Sequence, residues 1–106
     1  MIIAGEASGD LHGAALINKI IEQQPGISIT GIGGDNMRES GMELLYHIKD
    51  MAFLGFSEII KHLPFIFKVQ KELLKEIIAK KIKTILLIDY PGFNLNFAKK
   101  VKRLGI

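Results

Sequence analysis

Residues 84–88, in the stretch KTILLID, constrain the fold of this chain more than any other segment. They form a short, continuous apolar run that is followed at once by Asp89 and then by the loop-forming residues YPGFN. A run of this kind is typical of a strand with both faces covered, as in a parallel sheet flanked by helices. We therefore expect an α/β protein with a mostly parallel sheet between helices.

The rest of the chain alternates between strand and helix patterns, which supports this class. Residues 2–4 predict a buried strand, and apolar residues at helical spacing follow between Leu11 and Ile21. Residues 27–32 and 42–48 predict two more strands, separated by a short helix that ends at Gly41. Pro64 should break or restart a helix, and a second apolar stripe then runs along residues 66–77 before the run at 84–88 and a final helix. Strands that alternate with helices form β-α-β units.

Composition narrows the function classes. With 106 residues, 48% of them hydrophobic, the chain can form one domain with a real core. The absence of cysteine excludes disulfides, thiolate metal sites and cysteine nucleophiles. The net charge of +3 does not demand a nucleic-acid partner, and no apolar run reaches the ~20 residues of a membrane-spanning helix. Both ends are abrupt, so we expect a single partial domain, residues 1–106, of a larger protein.

Three loops should lie at one edge of the sheet. Ligands of open parallel sheets bind beyond the carboxyl ends of the strands. Residues 5–10 (the first loop), 31–36 (the second loop) and 89–94 (the third loop) all follow predicted strands and are rich in glycine and polar residues. We expect the three loops to share one cleft.

The first loop is unusually acidic. Ser8 is a candidate N-cap, Asp10 suits the first turn of a helix, and Gly9 would let a ligand approach closely, but Glu6 has no such structural role. Glu6 and Asp10 would repel a phosphate, so a binding loop here favours sugar hydroxyls or a cationic group. The residues alone leave open whether this is a binding loop, with Gly5 as its first glycine, or only a capped turn.

The second and third loops differ in whether their residues indicate a functional role. The second loop, GIGGDN, fails the dinucleotide fingerprint because Asn36 stands where a third glycine is needed. In the third loop, Asp89 should emerge at the end of a strand, where a carboxylate with a raised pKa is a good general base. Asn94 can cap the next helix or bind a hydroxyl. The alternative is that Asp89 only caps a turn.

Residues 53–67 carry more large apolar side chains than one buried helix stripe needs. At least half should belong to the core, and the excess indicates a surface for acyl chains or a bilayer, bordered by lysines. A protein–protein interface is the competing interpretation. The predicted acyl- or membrane-facing residues are Phe56, Ile59, Ile60, Leu63, Ile66 and Phe67.

The three histidines have different expected roles. His12 could contact a substrate, whereas His47 and His62 are expected to be ordinary surface histidines.

Four strings of the sequence together resemble one family. AGEASGDLHGA, GIGGDNMRESGMELL, MAFLGFSEIIKHLP and LLIDYPGFNLNFAKKVKRLGI are similar, in order, to the N-terminal part of bacterial lipid-A-disaccharide synthases. The resemblance covers essentially the whole chain. Its most specific elements are the A-G-E-x-S-G-D and I-D-x-P-x-F-N strings, in which Tyr90 and Gly92 occupy variable positions.

The resemblance implies a fold and an activity. The family has two Rossmann-like domains that face each other across a cleft, the B-type arrangement of glycosyltransferases, and this chain would be the truncated N-terminal, acceptor-side half without the C-terminal nucleotide-sugar domain. The implied reaction joins UDP-2,3-diacylglucosamine to 2,3-diacylglucosamine 1-phosphate, giving lipid A disaccharide 1-phosphate and UDP, with inversion and without a metal or other cofactor. It would take place at the cytoplasmic face of the inner membrane of Gram-negative bacteria, with the enzyme bound peripherally.

The resemblance also implies residue roles. Asp89 matches the catalytic base, and the substrate-binding residues would be Gly5, Glu6, Ser8, Gly9, Asp10 and Asn94. The piece alone should be inactive, and the early end of its sheet predicts an exposed edge open to pairing with a second copy. The alternative function is a non-catalytic lipid- or protein-binding α/β module.

Overall fold

The computed structural model describes residues 1–52 and 60–106 of the protein. Within these residues strands and helices alternate, as the sequence predicts. Short 3₁₀ helices at Ile48–Met51 and Ile60–His62 lie between the third strand and the third α-helix. The elements are β1 (Ile2–Ala4), α1 (Ala7–Gln23), β2 (Thr30–Gly33), α2 (Asp35–Glu39), β3 (Glu43–His47), α3 (Leu63–Ala79), β4 (Leu86–Ile88) and α4 (Pro91–Lys102).

The four strands form one parallel sheet. Its order is β3-β2-β1-β4, and each neighbouring pair runs in the same direction. β1 is therefore central, and its residues Ile2, Ile3 and Ala4 are almost completely buried. The predicted α/β class with a parallel sheet and flanking helices is confirmed.

Side chains of the central strand alternate between two cores. Ile2 and Ala4 pack into a cluster with Ile17 of α1 and Met37 of α2, whereas Ile3 packs into a second cluster with residues of α3 and α4. Successive residues of a strand point to opposite faces, so β1 supplies both cores in turn. The result is three layers, with the sheet between two layers of helices.

Helix α3 follows the predicted apolar stripe. Pro64 lies in its first turn, where the missing amide hydrogen costs nothing, so the proline restarts the helix as expected. Val69, Leu73 and Ile77 are at most 1% exposed and face the second cluster.

No helix in the residues that the structure describes is long and apolar enough to span a bilayer.

Strand β4 differs from its prediction. It lies at an edge of the described sheet, and Leu86 and Leu87 are each 36% exposed. The expectation that both faces of this strand are covered is therefore wrong. Its apolar run instead pairs on one side only, with β1 through Leu86, Leu87 and Ile88.

Candidate active site

The first and third loops are neighbours at the carboxyl edge of the sheet. Ala4 pairs with Ile88 in the parallel register of β1 and β4, and the next residues are Gly5 and Asp89. Residues 31–33 of the predicted second loop belong to β2, and its remaining residues 34–36 lie at the same edge because β2 is parallel to β1. The three loops thus share one edge of the sheet, but the predicted single cleft is found only in part: its described lining residues come from the first and third loops, the start of α1 and the segment after β3.

The third loop has an uncommon backbone. Asp89 and Tyr90 have φ angles of 49° and 52°, so two successive residues with side chains lie in the left-handed region. Each such residue costs on the order of 1–3 kcal/mol and persists only where its surroundings enforce it. Asp89 itself is exposed, so its carboxyl group is accessible from solvent at this edge.

Asn94 supports this loop rather than capping the helix. Helix α4 begins at Pro91, which places Asn94 inside it, and the side chain is 3% exposed. Its amide nitrogen Nδ2 donates to the carbonyl oxygens of Asp89 at 2.6 Å and of Ile88 at 3.4 Å. Among the described residues, Asn94 Oδ1 is buried without a hydrogen-bond partner. The expectation that Asn94 caps α4 is wrong, and its burial argues against direct contact with a substrate.

Tyr90 ties the third loop to the first. Its ring lies directly on Gly5, where an added Cβ would be 2.5 Å from Cγ and 2.7 Å from Cδ1 of the tyrosine. Its hydroxyl donates to the carbonyl oxygen of Met51 at 2.9 Å. Burial, and secondarily the negative charge of Glu6, raise the pKa of Tyr90 above its usual value of 10.0, so the phenol is a neutral donor. Gly5 is therefore needed for the close approach of this ring.

An open cleft of about 430 Å³ adjoins these contacts. Gly5 and Glu6 of the first loop, Tyr90 of the third, and Lys49 and Met51 after β3 are among the residues that line it. Among the described residues of its wall, Glu6 carries a carboxylate and Lys49 an ammonium group, and the rest is mainly apolar or backbone. A ligand with hydroxyl groups, an anionic group and an apolar part would match these surfaces. The sequence interpretation missed Lys49, which has no motif around it.

Asp10 has a structural role that the sequence did not reveal. Its side chain is 4% exposed, and it accepts hydrogen bonds from the backbone amides of Gly34 at 2.7 Å, Met37 at 3.0 Å and Asn36 at 3.1 Å. The carboxylate of α1 thus holds the second loop and the start of α2. These bonds occupy both carboxylate oxygens, so the proposed substrate contact of Asp10 has to compete with them.

Ser8 and Gly9 also differ from their predicted roles. Helix α1 begins at Ala7 with Glu6 as N-cap and without a side-chain capping bond, so the prediction of Ser8 as N-cap is wrong. Gly9 is buried, and an added Cβ would lie 3.1 Å from Cβ of Ala4 and 3.4 Å from Cγ2 of Ile88. The close approach that Gly9 permits is between α1 and the sheet rather than between loop and ligand.

His47 is more than an ordinary surface histidine. It ends β3, its Nε2 lies 2.9 Å from Oδ1 of Asp35, and its Nδ1 accepts from the amide of Lys49 at 3.1 Å. The hydrogen bond from His47 is the largest cause that holds the pKa of Asp35 below its usual value, and Arg38 and Lys49 add to it. Both ring nitrogens are engaged, so His47 connects Asp35 at the start of α2 to Lys49 of the cleft wall. His47 meets Asp35 because β3 lies beside β2 in the sheet. The sequence does not show this strand order, so this contact was missed.

The predicted acyl-facing residues divide between core and surface. Phe56 and Ile59 lie outside the described residues, and the side chain of Ile60 is likewise not described. Ile66 is 9% exposed in the second core cluster, so its assignment to a membrane face is wrong, and Leu63 packs partly against the same cluster. Phe67 is 54% exposed, with the ammonium group of Lys100 5.1 Å from its ring centre.

The fold and the cleft define an α/β domain of the kind that binds ligands at the carboxyl edge of a parallel sheet. Comparison with known proteins identifies its family. A family model described as lipid-A-disaccharide synthetase matches residues 1–106, and the chain belongs to this family.

Similar proteins carry the same name. The chain is 43% identical over 106 residues to the lipid-A-disaccharide synthase of Syntrophus aciditrophicus, all of this chain and 28% of that protein. It is 42% identical over 106 residues to that of Geobacter sulfurreducens, with the same coverage. It is 43% identical over 105 residues to that of Neisseria gonorrhoeae, 99% of this chain and 27% of that protein. The chain thus spans little more than a quarter of the length of the curated relatives it matches.

Proposed function

We propose that this chain is part of the acceptor-side domain of a lipid-A-disaccharide synthase, a glycosyltransferase of lipid A synthesis. The complete enzyme would condense UDP-2,3-diacylglucosamine with 2,3-diacylglucosamine 1-phosphate, releasing UDP. The observation that carries the proposal is the family match over all 106 residues, whose relatives are named for this activity. The nucleotide-sugar site would lie in a second domain, so the chain alone should not turn over substrate.

Asp89 would act as the general base. An inverting single displacement needs one group to take the proton of the acceptor's 6-hydroxyl while that oxygen attacks the anomeric carbon and UDP leaves. Asp89 is an exposed carboxylate at the carboxyl end of β4, next in space to the first loop. Glu6 of the neighbouring cleft would accept hydrogen bonds from sugar hydroxyls.

The substitution Asp89→Asn in a complete synthase that contains this chain tests the base. Removal of a general base typically lowers the rate by about 10²–10⁴-fold. We expect kcat for disaccharide formation to fall by that range while substrate binding and thermal stability change little. Asp35→Asn, another exposed carboxylate at this edge of the sheet, is the matched control and should keep kcat within about threefold. Normal turnover of Asp89→Asn would reject the assignment.

We also propose that the protein contacts the inner membrane peripherally, at its cytoplasmic face, through the apolar segment that includes Phe67. Phe67 is an exposed aromatic residue on α3, and the neighbouring Lys68 is exposed as well; aromatic and basic groups together favour an anionic lipid surface. Phe67→Ser should weaken co-sedimentation with vesicles that contain phosphatidylglycerol. Ile78→Ser, at a somewhat more exposed position near the other end of α3, should not. Equal effects of the two substitutions would reject this face.

Association of two copies through β4 is a further proposal. β4 is an edge strand of the described sheet, and its Leu86 and Leu87 are partly exposed. Exposed edges favour strand pairing, which a charged residue on the edge opposes. Leu87→Lys should shift sedimentation velocity from dimer towards monomer. A chain that sediments as a monomer before the substitution would contradict the proposal.

A further inference from the structure

The backbone at the end of β4 requires support from elsewhere in the fold. Asp89 and Tyr90 are consecutive residues with side chains in the left-handed region, which aspartate adopts only occasionally and as a single residue, and which is uncommon for a bulky residue such as tyrosine. Such a pair persists only where neighbouring groups over-determine it, and strained pairs cluster at functional sites. The structure shows which neighbours do so here.

One support comes from within α4. Asn94 donates from Nδ2 to the carbonyl oxygen of Asp89 at 2.6 Å and to that of Ile88 at 3.4 Å. Two successive carbonyl groups thus converge on one amide group, which fixes the peptide planes on both sides of the Asp89 Cα. Because Asn94 is 3% exposed, water cannot easily replace this donor.

The second support comes from the cleft. The Tyr90 ring lies against Gly5, and its hydroxyl donates to the Met51 carbonyl oxygen at 2.9 Å. A second ring contact joins it to Phe93, with centroids 5.9 Å apart. The residue directly after Asp89 is therefore anchored to the first loop and to the segment after β3, both of which line the cleft.

We propose that Tyr90 and Asn94 are positioning residues that hold Asp89 in its left-handed conformation and so set the place of its carboxyl group relative to the cleft. The inference rests on the proposed role of Asp89 as base. It assigns Asn94 to the protein's own backbone instead of to the substrate. It also gives Tyr90 a specific part in the site.

Two conservative substitutions in a complete synthase that contains this chain test the proposal. Tyr90→Phe keeps the ring on Gly5 but removes the hydroxyl donor, and we expect kcat to fall about fivefold, the value of one neutral hydrogen bond. Asn94→Ala removes both bonds to the loop and should lower kcat by more than about tenfold, since small displacements of a reacting group are costly. KM should stay within about twofold in both variants, because the Tyr90 hydroxyl that is removed is bonded to the Met51 carbonyl oxygen and Asn94 is buried.

Matched controls separate positioning from general damage. Tyr46→Phe also removes one tyrosine hydroxyl bond, to Glu72, away from the third loop. Asn96→Ala removes an asparagine bond on the same helix, to Gln70 at 3.1 Å. Both controls should leave kcat within about twofold, and thermal unfolding gives the folded fraction by which every kcat is corrected.

A double-mutant cycle with Asp89→Asn gives the decisive readout. A residue that acts through the Asp89 carboxylate has nothing left to position once that base is gone, so Tyr90→Phe should cause no further loss of residual activity in the Asp89→Asn background. A structural role would lower the residual activity by the same fivefold factor. If Asn94→Ala does not fold, the Tyr90→Phe arm of the cycle decides.

The possible results separate the two proposals. If Asp89→Asn lowers kcat by about 10²–10⁴-fold but Tyr90→Phe and Asn94→Ala keep kcat within twofold, the positioning role is rejected and the base remains. A raised KM with unchanged kcat would reject it in favour of substrate contact, and a loss that persists in the Asp89→Asn background would reject it in favour of a structural role. Normal turnover of Asp89→Asn would reject the proposed base, and with it the positioning role that rests on that base.

Discussion

The packing of Tyr90 on Gly5 predicts a large effect for the substitution Gly5→Ala. The added methyl carbon would lie 2.5 Å from Cγ of the tyrosine, whereas nonbonded carbon atoms prefer a separation of about 3.5 Å. The ring must therefore move by about 1 Å. It cannot do so freely, because its hydroxyl is bonded to the carbonyl oxygen of Met51 at 2.9 Å and its backbone is already left-handed.

The expected cost follows from these contacts. Overpacking of this size typically costs about 1–3 kcal/mol, and the displaced hydroxyl loses a hydrogen bond worth about 1 kcal/mol. Gly5→Ala should lower the free energy of unfolding by about 2–4 kcal/mol, as measured by urea unfolding followed by far-ultraviolet circular dichroism. Gly92→Ala is the matched control, since an added Cβ there meets no atom within 4 Å; in the first turn of α4 it should be neutral or stabilise by up to about 1 kcal/mol.

The double variant Gly5→Ala/Tyr90→Ala tests the reasoning itself. Removing the ring removes the clash, so Gly5→Ala should cost at least about 1 kcal/mol less in the Tyr90→Ala background than in the natural chain. Strict additivity of the two substitutions, or a loss below about 0.5 kcal/mol for Gly5→Ala alone, would refute the claim that this glycine is required by the tyrosine ring.

Three further predictions concern charged and titratable groups. Asp10→Asn should lower the free energy of unfolding in urea by about 2–4 kcal/mol, because a buried carboxylate accepts three backbone amides; a loss below about 0.5 kcal/mol would contradict this role. The hydrogen bond from His47 lowers the pKa of Asp35 from 3.8, so this carboxylate stabilises the fold above about pH 4 and the contribution is lost as the pH falls through the lowered pKa. The difference in Tm between the natural chain and Asp35→Asn should therefore shrink on acidification, and a constant difference would contradict it. Burial raises the pKa of Tyr90 above 10.0, so its stabilising contribution is complete below about pH 10 and is lost as the pH rises towards the folded-state pKa; Tm should fall less steeply above pH 10 in Tyr90→Phe, and equal slopes would contradict this.

Local patterns predicted the parts of the fold whose cause is local. The stripe Val69, Leu73 and Ile77 faces the core because helical spacing alone brings these side chains to one side. Pro64 lies in the first turn of α3 for an equally local reason, because the backbone angle φ of proline is fixed near the helical value.

The parts that sequence reasoning missed depend on distant partners. The apolar run of β4 is the same whether a strand is central or at an edge, so the exposure of Leu87 could not be foreseen. The amides that bind Asp10 lie 24 to 27 residues further along the chain. Ser8 is not the N-cap, because α1 begins one residue before it. Predicted roles that rest on one loop in isolation are therefore the weakest, and the prediction that rests on the parallel direction of the strands, the common edge of the three loops, is the strongest.

The hydrogen bonds of the backbone amides at the carboxyl edge of the sheet indicate which of the two proposed substrates, acceptor or donor, this domain would bind. The start of a helix after a parallel strand commonly binds phosphate through free amides, but at the start of α2 the amides of Gly34, Asn36 and Met37 already donate to Asp10. The first loop adds the negative charge of Glu6, which opposes a diphosphate further, and among the described residues lining the cleft Lys49 supplies the positive charge. This edge is therefore suited to a sugar with hydroxyl groups and at most one phosphate, as in the proposed acceptor, and the diphosphate of the donor would be neutralised by groups outside these residues.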